Sequence, residues 1–185
     1  GKNFLFRTAA AIVKVMGGVP DQPLLTREQM VVAETANGGI IVVGSHTEKT
    51  TKQVELLKEN KGIAFVELDA TLVKDAPAFA KEVERCLALE EKYLKAGTTV
   101  CVYTTRALIT AGSGDKEDDL RLAVKISDAV QSLVGRLSVV PSFVIAKGGI
   151  TSSDIGTKAL AVQKANVLGQ IKPGIPVWQT GAESK

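Results

Sequence analysis

Aromatic side chains make up only 4% of this 185-residue chain: five Phe, two Tyr and one Trp. That scarcity leaves few platforms on which nucleic-acid bases stack, and it predicts a core of Val, Leu, Ile and Ala. Histidine is rarer still, with His46 alone, and a single imidazole beside a strand end is more often a loop hydrogen-bonder than a general base. No Ser/His/Asp set, Cys/His pair or paired carboxylates stand out. Cysteine occurs twice, at Cys86 and Cys101, without metal-ligand spacing. One falls in an expected helix and one in an expected strand, so both read as buried thiols of a reducing compartment, which points to the cytoplasm. No apolar run approaches the length of a membrane helix, and no signal-peptide pattern opens the chain. Charge of one sign is missing too. The net charge of +3 is spread over interspersed Lys, Glu and Asp, so no basic stripe forms, and neither nucleic acid nor membrane is an expected partner. There is no initiator Met. The start Gly-Lys-Asn, followed at once by Phe4, Leu5 and Phe6, reads as a piece cut from something longer, although processing or tag removal gives the same start.

What is present is a chain that is 45% hydrophobic, enough for one domain with a sizeable core. A short strand over residues 3–6 and a helix over 8–16 are expected first, the helix ending at Gly17-Gly18. Residues 19–37 read as irregular, with Thr26 and Gln29 spaced for a capping box on a brief turn. The run Ile40–Val43 has the continuous apolar character of a strand buried on both faces, and a helix is expected to open at Thr50 or Thr51, with Val54, Leu56 and Leu57 inward. A strand at Ile63–Leu68, a long amphipathic helix over 78–95 (Phe79, Val83, Leu87, Leu94) and a strand over 98–104 follow. Residues 106–119 form a polar connection longer than usual, the mark of a binding loop or disorder. A helix over 120–134 carries Leu122, Val124, Ile126, Val130 and Leu133 inward, and an apolar run over 139–145 reads as the next strand. Strands alternating with helices predict an α/β fold, a three-layer sandwich with a mainly parallel sheet flanked by helices. In such sheets ligands sit beyond the carboxyl ends of the strands, so Ser45, residues 104–106 and residues 147–153 are expected to share one edge, with Ser45 beside Gly148.

The most informative stretch is the junction that follows residues 139–145. The apolar run ends at Gly148-Gly149, passes Thr151-Ser152-Ser153 and continues with Ile155, Ala159, Leu160 and Val162 at helical spacing. A strand, glycine turn and helix start aim unpaired backbone N–H groups and a helix dipole at one small volume, which suits a phosphate. An ordinary β-to-α turn with a Ser cap fits the same residues. Residues 44–50 (GSHTEKT) hold a Gly, a Lys and a Thr in the order of a phosphate-binding loop, but the spacing is one residue short and Glu48 stands before the Lys where the second Gly belongs, which rejects that motif. No dinucleotide fingerprint is present either. Lys147 reads as a phosphate-neutralising cation or a solvated strand end, and Arg106 likewise. Asp154 reads as a dipole partner of its helix or as a carboxylate holding Mg²⁺ through water.

Three segments taken together, GGIIVVGSHTEKTTKQVELL (38–57), PSFVIAKGGITSSDIGTKAL (141–160) and VLGQIKPGIPVW (167–178), with NFLFRTAAAIVK near the start, resemble the C-terminal nucleotide-binding domain of the four-carbon acid sugar kinases. The likeness covers nearly the whole chain, in order. It implies that residues 1–185 are one nucleotide-binding domain, the C-terminal part of a two-domain kinase truncated at both ends. Such kinases use ATP, with Mg²⁺, to phosphorylate a hydroxyl of threonate, erythronate or 3-oxo-tetronate, and an N-terminal domain of the same chain supplies most of the acid site. The matching nucleotide-site positions are Ser45, Gly148, Gly149, Ile150 and Thr151. Many relatives carry Asp, Glu or Asn where this chain has Ile150, so only backbone contacts carry over there. No catalytic residue is assigned; the acceptor's base is expected in the N-terminal domain and the fragment alone is expected to be inactive. A non-catalytic module that senses a phosphorylated metabolite is the alternative, and an exported effector a third reading.

Overall fold

In a computed structural model, residues 3–9, 11–31 and 35–184 are described. The chain divides into two compact units, residues 1–32 with 166–179 and residues 33–165 with 180–185. In the first, helix α1 (Ala11–Met16) buries none of its residues and ends at Gly17-Gly18 as expected. Helix α2 (Arg27–Met30) is the brief turn that its capping box predicts, with the Thr26 N–H donating to Gln29 Oε1 at 2.9 Å. Residues 3–6 form no strand: no neighbouring strand pairs with them, and an isolated extended segment has no ladder to hold it. The expected helix over 8–16 begins at Ala11; its residue 10, and residues 32–34 of the irregular stretch, lie outside the described residues.

The second unit opens with strand β1 (Ile40–Val43) and helix α3 (Glu48–Lys58). Strand β2 (Ile63–Leu68) and a 3₁₀ turn (Ala70–Lys74) lead into helix α4 (Ala76–Lys95), which ends at Gly97. Strand β3 (Thr99–Thr104), helix α5 (Lys116–Gly135), strand β4 (Val144–Lys147) and helix α6 (Gly149–Asp154) follow, α6 running on into a widened π turn (Ile155–Ala159). The four strands form one parallel sheet in the order β2-β3-β1-β4, with Ile40 level with Val100 and Val144. A strand pair β5 (Ala165–Lys172) and β6 (Ile175–Thr180) closes the chain around Pro173-Gly174, most of it within the first unit.

The expected parallel sandwich is therefore present. On one face Ile40, Val42, Val66, Leu68, Val100 and Val102 pack under α4, α5 and the π turn; on the other Val43, Cys101 and Tyr103 pack under Val54 of α3. Both cysteines are buried, and burial pushes their thiols up to about 12 (Cys86) and about 11 (Cys101). No helix among the described residues is long and apolar enough to cross a membrane.

Several boundaries differ from the sequence expectation, and the larger shifts have local reasons. Helix α3 starts at Glu48 because Thr47, not Thr50, caps it, and Leu56 faces solvent at 65% exposure. Helix α5 starts at Lys116 because Asp115 accepts the Glu117 N–H at 2.9 Å and three acidic residues then favour the dipole; Val124 lies outward. The connection before it shortens to 105–115 and is tied down, with Ala111 N–H on Asp119 Oδ1 at 2.6 Å and Ser113 Oγ on Asp118 at 2.8 Å. Strand β4 starts at Val144 instead of Val139: Pro141 has no N–H to donate, and Asn37 Nδ2 bonds the Val140 carbonyl at 2.8 Å.

Candidate functional site

Pairing β1 with β4 in parallel brings the two strand exits side by side, Val43 level with Lys147. The next residues on each chain, Gly44-Ser45 and Gly148, turn away from the sheet at one corner. Gly148 sits at φ 114°, a conformation that L side chains rarely adopt, and this turn starts α6 directly at Gly149. Gly44 is packed against Thr151: a Cβ built there would fall 2.6 Å from Thr151 Oγ1. A Cβ built on Gly148 would lie 3.8 Å from Ser45 Cβ. Ser45, Gly148 and Thr151 thus meet at one corner, as expected from sequence.

The first turn of a helix leaves its N–H groups without intrahelical acceptors. In α3, α4 and α5 a side chain caps that turn, from Thr47, Asp75 and Asp115 respectively. In α6 no side chain does, and the open N–H groups belong to Gly149, Ile150 and Thr151. Gly149 and Ile150 are exposed, Ile150 at 75%, while the Thr151 side chain is buried against Gly44. The backbone, not the Ile150 side chain, is what this position offers.

Hydroxyls and cations surround the turn. Ser45 Oγ, Thr47 Oγ1 and Thr50 Oγ1 form a triangle with sides of 3.4, 3.0 and 3.4 Å, and Thr50 is 1% exposed. Lys147 Nζ donates to Thr50 Oγ1. Arg106 reaches across from the β3 exit, donating to the Ser45 carbonyl at 2.7 Å, the Thr104 carbonyl at 2.9 Å and Thr104 Oγ1 at 3.0 Å. Burial among these neutral acceptors lowers the pKa of its guanidinium below the ordinary value. Neither Lys147 nor Arg106 makes an ion pair among the described residues. Of the expected shared edge of Ser45, residues 104–106 and residues 147–153, Ser45, Thr104, Arg106, Lys147, Gly148 and Thr151 meet here. Sequence periodicity makes Thr50 a helix start and not a partner of Ser45; its separation of five residues from Ser45 across a capped turn is the available signal.

Other singled-out residues lie elsewhere. The Asp154 carboxylate accepts from Ser127 at 2.8 Å and pairs with Lys158 at 3.2 Å; those contacts, the Ser127 bond foremost, lower its pKa, and it serves helix packing. His46 is exposed. Phosphates fit this corner by its donor set: open N–H groups, hydroxyls and two cations. Mg²⁺ has a poorer match, since no group of three His, Cys, Asp or Glu that could hold a metal occurs among the described residues. A separate open groove of about 320 Å³ lies among Val73, Lys74, Ala111, Leu122 and Lys125, and none of the expected site residues lines it.

Comparison with known proteins adds one finding. A family model described as a nucleotide-binding C-terminal domain matches residues 40–185, a span that holds the whole parallel sheet and the corner at Ser45 and Gly148. Curated proteins give no match.

Proposed function

The chain belongs to the nucleotide-binding C-terminal domain family, and on that premise we propose that it binds ATP for a kinase acting on a four-carbon acid sugar. The acceptors are acids of the threonate, erythronate or 3-oxo-tetronate type, and the reaction moves the γ-phosphate to one of their hydroxyls. The observation that carries this reading is the uncapped start of α6 facing Ser45. Open N–H groups of residues 149–151 would hold phosphate oxygens, the Ser45 hydroxyl would donate to another, and the positive φ of Gly148 lets the backbone come close. ATP supplies the transferable phosphoryl group when bound. The corner's own contribution is position and charge neutralisation, the main requirement in phosphoryl transfer. Mg²⁺ would be held chiefly by the phosphates.

An N-terminal substrate-binding domain of the same protein would present the acid and its base, because the side chains gathered here are hydroxyls, an ammonium and a guanidinium. Mass spectrometry of the protein joined to that domain, incubated with ATP and a panel of four-carbon acids, tests the reading. A product heavier by one phosphoryl group is expected from at least one acid and none from the isolated chain. ATP binding with no phosphorylated acid in any combination would favour a module that binds a phosphorylated metabolite without chemistry.

A further inference from the structure

Lys147 is half-buried at the end of β4, and its ammonium rests on the hydroxyl of a residue that is 1% exposed, with no carboxylate paired to it among the described residues. A charge held in that way, away from full hydration, is stabilised when an anion completes its shell. The contact also fixes a direction. An ammonium donates and never accepts, so the Thr50 oxygen must accept from it, and the Thr50 hydrogen must leave on the other side. The oxygens within reach there are Ser45 Oγ at 3.4 Å and Thr47 Oγ1 at 3.0 Å. Thr47 Oγ1 also accepts the Thr50 N–H, as the cap of α3. Hydrogens therefore run outward from Lys147 through Thr50, and the Ser45 hydroxyl, whose own hydrogen has only the long contact to Thr47 Oγ1 at 3.4 Å, can turn it to an incoming oxygen. Its carbonyl is held from behind by Arg106 at 2.7 Å, which fixes the residue's backbone.

From this arrangement we infer that Lys147 is a positioning residue for the phosphate chain of the nucleotide, acting through the buried Thr50 hydroxyl to keep the Ser45 hydroxyl a donor and supplying the corner's positive charge. This rests on the reading of the corner as a phosphate site. The ligand it favours is a polyphosphate, with affinity rising with phosphate charge, while the nucleoside part is indifferent to Lys147.

Calorimetric titration of the chain with ATP, tripolyphosphate and adenosine tests it, using wild type, Lys147→Met, Thr50→Val and Thr50→Ser, each with a thermal melt. Lys147→Met should weaken ATP and tripolyphosphate roughly ten- to hundredfold and leave adenosine unchanged. Thr50→Val, similar in shape, should weaken both polyphosphates, and Thr50→Ser, which keeps the hydroxyl, should restore them; a purely structural role for Thr50 would not separate the two in this way. Equal ATP affinity in wild type and folded Lys147→Met, or an equal loss for ATP and adenosine, overturns the inference and leaves the phosphate site standing. Failure of wild type to bind either ATP or tripolyphosphate overturns both.

Discussion

Two corners of the same sheet edge handle charge in opposite ways. At the exit of β2, Glu82 accepts from the Asp69 N–H at 2.9 Å and from Arg85 at 2.6 and 2.7 Å, and Arg85 also bonds the Glu67 carbonyl at 2.7 Å. Glu82 and Arg85 there neutralise each other, and the Arg85 contact, foremost, holds the Glu82 carboxyl below its ordinary value. At the exits of β1 and β4, Arg106 and Lys147 are just as firmly placed, but among the described residues they hydrogen-bond only neutral oxygens. The first corner is closed and serves the fold. The second keeps a surplus of positive charge and open N–H groups at the end of the sheet, and an anion is its natural complement. In the interior a third solution appears: Glu90 is fully buried with neither carboxylate oxygen partnered, and burial first, then Glu91, pushes it up to about 9. It stays protonated at neutral pH.

The largest effect expected from this contrast is at Glu90. Its native pKa lies above the ordinary 4.5, so the native state holds the extra proton between about 4.5 and 9. Stability is full below that window and falls as pH rises through it, by roughly 1.4 kcal/mol per pH unit. Glu90→Gln should flatten the difference, read from denaturant melts of both proteins at pH 5 and pH 8; parallel curves would show that the carboxyl is not buried as described.

Glu82→Ala comes next. Stranding Arg85 and the Asp69 N–H should cost about 2 kcal/mol at pH 7 while ATP affinity holds, because that corner contains no part of the phosphate site. A loss of ATP binding in the folded variant would erase the distinction between the corners. With the carboxyl's native pKa depressed, its contribution is present above about 4.5 and is lost as pH falls through the native value.

Gly44→Ala should cost less, about 1 kcal/mol, by driving a methyl group to within 2.6 Å of Thr151 Oγ1. Because the displaced residue belongs to the site, ATP affinity should fall too, and calorimetry beside the melt separates the two losses.

Much of this was legible in sequence because strands buried on both faces announce themselves as apolar runs: Ile40–Val43 and Ile63–Leu68 match the expected bounds residue for residue. Helix starts were less legible. The polar run of residues 116–119 hides the start of α5 from any search for apolar periodicity, and only the Asp115 cap reveals it. The glycine turn is legible as strand, turn and helix, but the sequence does not say which of the two glycines takes the special conformation; the positive φ belongs to Gly148. Partner choice at the corner was also hidden, since Lys147 meets Thr50 across 97 residues of chain.

That division between the two glycines supplies the most direct test of the phosphate corner. A Cβ built on Gly149 meets nothing within 4 Å and its φ lies outside the left-handed region, so Gly149→Val should fold with a melting temperature close to wild type. The new side chain would stand beside the open N–H groups of α6, where a phosphate must approach. Calorimetric titration of ATP into both proteins should show binding to wild type and an affinity at least about tenfold weaker in the variant. Equal affinity in a fully folded Gly149→Val would contradict the account.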